Sequence, residues 1–150
     1  MGWPNLSGDH VAKTSAKVMV NGDTIFTAIG DVQILSLVSE CYTANDATAS
    51  TLQYAITKNA ITTTLCNASA SLANDPAGAT VLLSASATLA EPPFHTTASG
   101  VSINTASRGV RFPGGGVLKT VIGVGSTTGT WKHYIRWEPL EDGAIIVPAF

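Results

Sequence analysis

From Trp131 to Glu138 the side chains alternate without a break. Trp131, His133, Ile135 and Trp137 fall on one parity, and Lys132, Tyr134, Arg136 and Glu138 on the other. Strict alternation of bulky apolar and charged residues fits only an extended strand with one face buried and one face toward solvent. Two of the chain's three tryptophans lie on the buried parity, so the core is expected to form against this strand. An apolar run, Val117–Val124, precedes it across Ser126-Thr127-Thr128-Gly129. The two runs read as an antiparallel hairpin closed by that polar turn.

The rest of the chain repeats the theme. Lys17–Val20 and Thr24–Thr27 are short β-type runs around Asn21-Gly22, a pair suited to a type I′ hairpin turn. Val32–Glu40 is a long apolar run without strict alternation, as expected of a central strand covered on both faces. Thr43–Ser50 is a polar loop, and Thr51–Thr57 alternates again before Lys58-Asn59 turns the chain. The Thr62-Thr63-Thr64 run disfavours a helix. Ala79–Leu89 reads as a strand, Glu91–His95 as a proline-broken segment, and Val101–Ile103 and Val110–Phe112 as short strands. Gly143–Phe150 contains a last strand that Pro148 confines to an edge or ends. Roughly eight to ten strands with frequent turn signals and no convincing helix predict an all-β, single-domain antiparallel β-sandwich of jelly-roll type. Residues 1–16 lack periodicity and read as an extended N-terminal arm, leaving 17–150 as the sandwich domain.

The chain's 150 residues suit one such domain. Charged residues make up only 12% of it, about half the usual share, and Ser, Thr, Ala and Gly take their place. That surface suggests cover by partner subunits. A net charge of −2 with scattered cations argues against nucleic acid as a partner. No run approaches the ~20 apolar residues of a membrane-spanning helix. The N-terminus lacks a basic-then-apolar leader, so the protein is expected to be made in a cytoplasm and to leave it only inside a larger particle. Cys41 and Cys66 are expected to be free, buried thiols, with a disulfide as the alternative.

Signals of chemistry are weak. Gly114–Thr120 has the glycines of a phosphate loop, but Leu118 rather than glycine precedes Lys119, and a strand rather than a helix follows. His10, His95 and His133 are far apart, and none has a metal-ligand neighbour at the usual spacing. His133, between Trp131 and Ile135, reads as a hydrogen-bonded core or interface histidine rather than a general base. No catalytic, metal or cofactor residue is assigned. The candidate interface residues are Trp3, Lys132, Tyr134, Arg136 and Phe150. Trp3 either anchors the arm on a neighbour or folds back on its own domain. Lys132, Tyr134 and Arg136, with Glu138, form either a contact surface or a solvated face with cross-strand ion pairs. Phe150, at the chain end, is expected to pack on a neighbour.

Two stretches carry a resemblance. Leu35-Ser36-Leu37-Val38-Ser39-Glu40-Cys41, followed by Thr43–Tyr54, resembles small virion proteins of tailed bacteriophages, and so does Val121–Tyr134. The resemblance spans residues 17–145, and its motifs are structural. It implies a β-sandwich decoration (cement) protein on the capsid exterior, forming a trimer or dimer and bridging major capsid subunits. A tail or fibre component is the alternative it leaves open. A carbohydrate-binding or hydrolytic β-sandwich stands as a third class. The alternation alone generates one test: if Trp137 is a core residue, Trp137→Ala should cost about 3–5 kcal/mol by chemical denaturation, and a loss under ~1 kcal/mol would place it on the surface.

Overall fold

The computed structural model describes residues 10–83, 92–97 and 109–150; the expected strand at Val101–Ile103 and the residue Trp3 lie outside these. The described residues form strands and no helix: β1 (His10–Lys13), β2 (Lys17–Val20), β3 (Thr24–Ile29), β4 (Val32–Cys41), β5 (Leu52–Lys58), β6 (Ile61–Thr64), β7 (Thr80–Leu82), β8 (Phe94–Thr96), β9 (Val110–Phe112), β10 (Val117–Ile122), β11 (Ser126–Pro139) and β12 (Ile145–Pro148). They make two antiparallel sheets packed face to face. The larger contains β2–β11–β4–β7, and the smaller β3–β10–β5–β6. That strand order is the eight-stranded jelly roll. Four strands extend it: β1 beside β11, β9 beside β4, β8 outside β7 and β12 outside β3.

In a jelly roll most links between successive strands cross from one sheet to the other, and this corrects both expected hairpins. β10 pairs with β3 and β5 in the smaller sheet, whereas β11 pairs with β1, β2 and β4 in the larger. The turn between them lies at Gly123–Gly125, and Ser126–Gly129 already belongs to β11. The reason is the core. Leu118 and Ile122 on β10 and Trp131, Ile135 and Trp137 on β11 are all buried, and the two sets face each other across the interior. Pairing the two strands in one sheet would put both sets on the same side of it.

Asn21-Gly22 likewise links β2 in one sheet to β3 in the other. Asp23 N–H bonds the Val20 carbonyl at 3.0 Å, and only Gly22 of the central pair has positive φ, +84°. That is a type II turn and not the I′ form. The I′ geometry appears instead at Asn59-Ala60, with φ of 51° and 63°, where β5 folds back on β6 with Lys58 opposite Ile61.

Strand β4 breaks alternation for a different reason from the one expected. Arg136 on β11 opposes Ser36, but Trp137 opposes Ile34, so Leu35 is an extra residue in the ladder. This β-bulge shifts the inward parity. Val32, Ile34, Leu37, Ser39 and Cys41 are buried, while Gln33, Leu35, Ser36, Val38 and Glu40 are half-buried on the other side. Phe94–Thr96, expected to be irregular, pairs with β7 despite the prolines before it; both prolines lie outside the strand.

Part of the expected arm also belongs to the sheet. His10–Lys13 pairs with Trp137–Tyr134, and His10 stacks on Trp137 with ring centroids 4.6 Å apart. Thr14 and His133 exchange two bonds: Thr14 N–H to the His133 carbonyl, and His133 N–H to Thr14 Oγ1, each 3.0 Å. Both cysteines are buried free thiols, as expected.

Ala60 generates a test of the hairpin. A left-handed backbone costs a residue with a Cβ about 1 kcal/mol that glycine does not incur. Ala60→Gly is therefore expected to raise stability by about 0.5 kcal/mol in denaturant titration, since the side chain is exposed and the strain relieved exceeds the freedom glycine adds to the unfolded chain.

Candidate functional site

The most unusual chemistry lies inside the sandwich. Ser39 on β4, Tyr54 on β5 and His133 on β11 all point inward and are essentially inaccessible. Ser39 Oγ lies 2.6 Å from Tyr54 Oη and 2.7 Å from His133 Nδ1. Tyr54 Oη donates to the Val81 carbonyl at 3.2 Å. With the tyrosine proton so directed, Ser39 must donate to Tyr54, and His133 Nδ1–H must donate to Ser39. Every proton then has an acceptor. The leftover group is the bare Nε2 lone pair of His133, which has no hydrogen-bond partner. An unpaired acceptor is a smaller burden than an unpaired N–H.

Burial lowers the His133 pKa to about 3 and drives that of Tyr54 upward. The histidine is neutral at ordinary pH. A serine beside a histidine has the composition of a nucleophile and base, but substrate cannot reach it. The relay's geometry makes it a cross-sheet tie, in line with the core role expected of His133.

A second polar cluster sits beyond the end of β4. His95 Nε2 pairs with Asp75 Oδ2 at 2.9 Å; Asp75 is buried and His95 nearly so. Burial raises the Asp75 pKa, and the histidine opposes that shift. Asn45 fixes the loops around it: its Nδ2 donates to the Leu72 carbonyl at 2.9 Å, and its Oδ1 accepts from Gly129 N–H at 2.8 Å and Trp131 Nε1–H at 3.4 Å. A Cβ on Gly129 would meet the Thr43 carbonyl at 2.1 Å, so only glycine lets these loops close. Among the described residues no hydroxyl or thiol is bonded to His95, and no group of three or more His, Cys, Asp or Glu converges as a metal site. Burial also raises both thiol pKa values, Cys41 to about 11, so neither is a ready nucleophile.

The structure divides the candidate interface residues. Lys132, Tyr134 and Arg136 stand together, half-buried, on the outward face of β11. Glu40 lies opposite Lys132, Ser36 opposite Arg136, and Lys13 beside Tyr134. The Lys132 ammonium sits 4.2 Å from the centre of the exposed Tyr42 ring. Burial and Glu40 raise the Tyr134 pKa. Phe150 is elsewhere. Its ring packs edge-on against His133, with centroids 6.3 Å apart, and carries the Lys17 ammonium at 5.1 Å. It therefore packs on its own domain, although a neighbour was expected.

Two further surfaces had no sequence signal. The outermost strand β12 exposes Ile145 and Val147, and Ile145 lies directly opposite the exposed Ile29 of β3. Where β5 and β6 splay from β9, a cleft of about 450 Å³ opens between the sheets, lined by Ile56, Ile61, Leu65, Val110 and Pro113 with Lys58 and Arg111. Behind Arg111, Asp31 accepts from the guanidinium and from Gly114 N–H at 2.8 Å. The Gly114 bond, then Arg111, holds its carboxyl below the usual range.

No helix among the described residues is long and apolar enough to cross a membrane. Comparison with protein-family models, with curated proteins and with solved structures finds no match in any of the three.

The relay generates a pH prediction. An unfolded histidine titrates near 6.5, whereas folded His133 resists protonation down to about 3. The unfolded state therefore binds more protons between those values, and stability falls as pH falls through that window. The expected slope from this group is about 1.4 kcal/mol per pH unit. Denaturation at pH 5.0–6.5, above the range of ordinary carboxylates, should show it. His133→Asn, which can still donate to Ser39 but does not titrate, should be flatter; equal slopes would refute the assignment.

Proposed function

We propose that this chain is a non-enzymatic structural subunit of a tailed-bacteriophage particle: a decoration protein on the capsid exterior that bridges major capsid subunits. The observation that carries the reading is the outer margin of the smaller sheet. Ile29, Ile145 and Val147 stand exposed side by side on and next to an outermost strand. Monomers often blunt such edges with charge, proline or a short strand; this four-residue strand carries no charge and has only Pro148, at its end, without an N–H. Partner backbone can add to a free edge while its side chains cover the isoleucines. The low charge of the whole chain and the resemblance of Leu35–Tyr54 and Val121–Tyr134 to phage virion proteins support the same reading.

The energetics of such a role are modest per contact. A standard interface buries ~800 Å² per partner. A copy that touches two or more capsid subunits, or that sits in a trimer or dimer, gains by avidity. The outward Lys132, Tyr134 and Arg136 supply a second, polar contact face suited to orienting a partner. A tail or fibre position uses the same surfaces with fewer copies. One observation favours a hydrolytic alternative, the His95–Asp75 pair, which has the composition of a base and its orienting carboxylate.

Quantitation against the major capsid protein in purified virions is the test. A ratio within a few-fold of one supports decoration, a handful of copies supports the tail, and absence from the virion refutes both. In the first case Ile145→Lys, at a half-exposed position, should leave the fold intact and strip the protein from the particle.

A further inference from the structure

We infer that the cleft between the two sheets is a binding site for a small amphipathic anion, a molecule with an apolar body and a single carboxylate-like head. The cleft lies where β5 and β6 of the smaller sheet part from β9 of the larger, and its volume of about 450 Å³ is in the range that holds small molecules. Its floor is core: Ile56 and Leu65 are buried members of the main apolar cluster, and Val110 packs against it. Ile61 stands at the rim, on the edge strand, with 70% of its surface exposed. Covering an isoleucine that already faces a cavity gains burial at little conformational cost.

The polar part of the cleft has one sign. Among the described residues its lining includes Lys58 and Arg111 and no carboxylate. Arg111 is already matched by Asp31, whose other oxygen is fixed by Gly114 N–H. Asp31 therefore holds the guanidinium in place and uses up its charge. Lys58, half-buried, forms no ion pair among the described residues but lies within Coulombic reach of Asp31, so one carboxylate faces two cations. The uncompensated charge is one positive, at the end of an apolar trough. A single anionic head would satisfy it, with the remaining guanidinium N–H groups as further donors. A neutral head would leave the ammonium unmatched, and a cationic head would be repelled. The size of the cleft and its single free charge do not suit a polyanion.

The inference does not depend on the virion role. It is tested on the full chain with three ten-carbon probes below their micellar concentrations: decanoate, decanol and decyltrimethylammonium. Binding is followed by methyl NMR at Ile56, Ile61, Leu65 and Val110. Decanoate should give saturable shifts confined to these methyls, with decanol about tenfold weaker and the cation weaker still. Lys58→Met should bring decanoate down to the level of decanol. Ile61→Glu, which puts a carboxylate at an exposed rim position without disturbing the core, should abolish decanoate binding. No saturable shift, equal affinity for the three probes, or a Lys58→Met protein that still prefers decanoate would overturn the inference.

Discussion

Between the two sheets, against the main apolar cluster, three buried polar side chains bond one another and a backbone carbonyl. Ser39, Tyr54 and His133 form a chain of donors that ends on Val81. Three of the four members belong to the larger sheet and Tyr54 to the smaller, so the relay fixes how the sheets sit on each other. Apolar contacts tolerate small slides, but a hydrogen bond of 2.6–2.7 Å between buried groups does not. Losing one member leaves buried polar groups unmatched at a cost of about 1–3 kcal/mol each. The same constraint accounts for a neutral histidine, for a tyrosine that keeps its proton, and for a Ser–His pair closed to substrate.

The topology follows from satisfying the core from both sides. Strand β11 supplies the largest inward side chains and pairs with β1, β2 and β4 along its length. Its predecessor β10 supplies the facing layer and so must lie in the opposite sheet. Jelly-roll links of this kind leave few local hairpins. Among the described residues the one β-turn with two positive-φ residues, at Asn59-Ala60, joins strands that remain neighbours. Turn residues therefore mark where the chain reverses without saying which sheet it enters.

The architecture leaves three surfaces with different chemistry. The outward face of β11 is polar and half-covered, the β3–β12 margin is apolar and open, and the cleft beside β6 is apolar with a cationic rim. A jelly roll by itself does not select among functions. In the proposed reading the open margin serves association with other subunits, and the inferred small-molecule site in the cleft is independent of that role. Three polar side chains outside the relay are held by structural bonds: Asp75 by His95, Asp31 by Arg111 and Gly114, Asn45 by Leu72 and Gly129.

The sequence by itself determined which residues extend, which side of β11 is buried, and that the class is an all-β sandwich. Alternation is a local property, and burial acts on each strand's own face. The parity of Tyr54 and His133 was also legible, but not that of Ser39, which the Leu35 bulge sets, nor their convergence, because they lie 15 and 94 residues from Ser39. Only the tertiary structure decided which strands pair, that Leu35 is an inserted residue, that Phe150 caps its own core, and that Lys58 and Arg111 share a rim. Pairing is a competition among many similar edges. It is settled by how the whole set of side chains fills one interior, and no local window of sequence contains that sum.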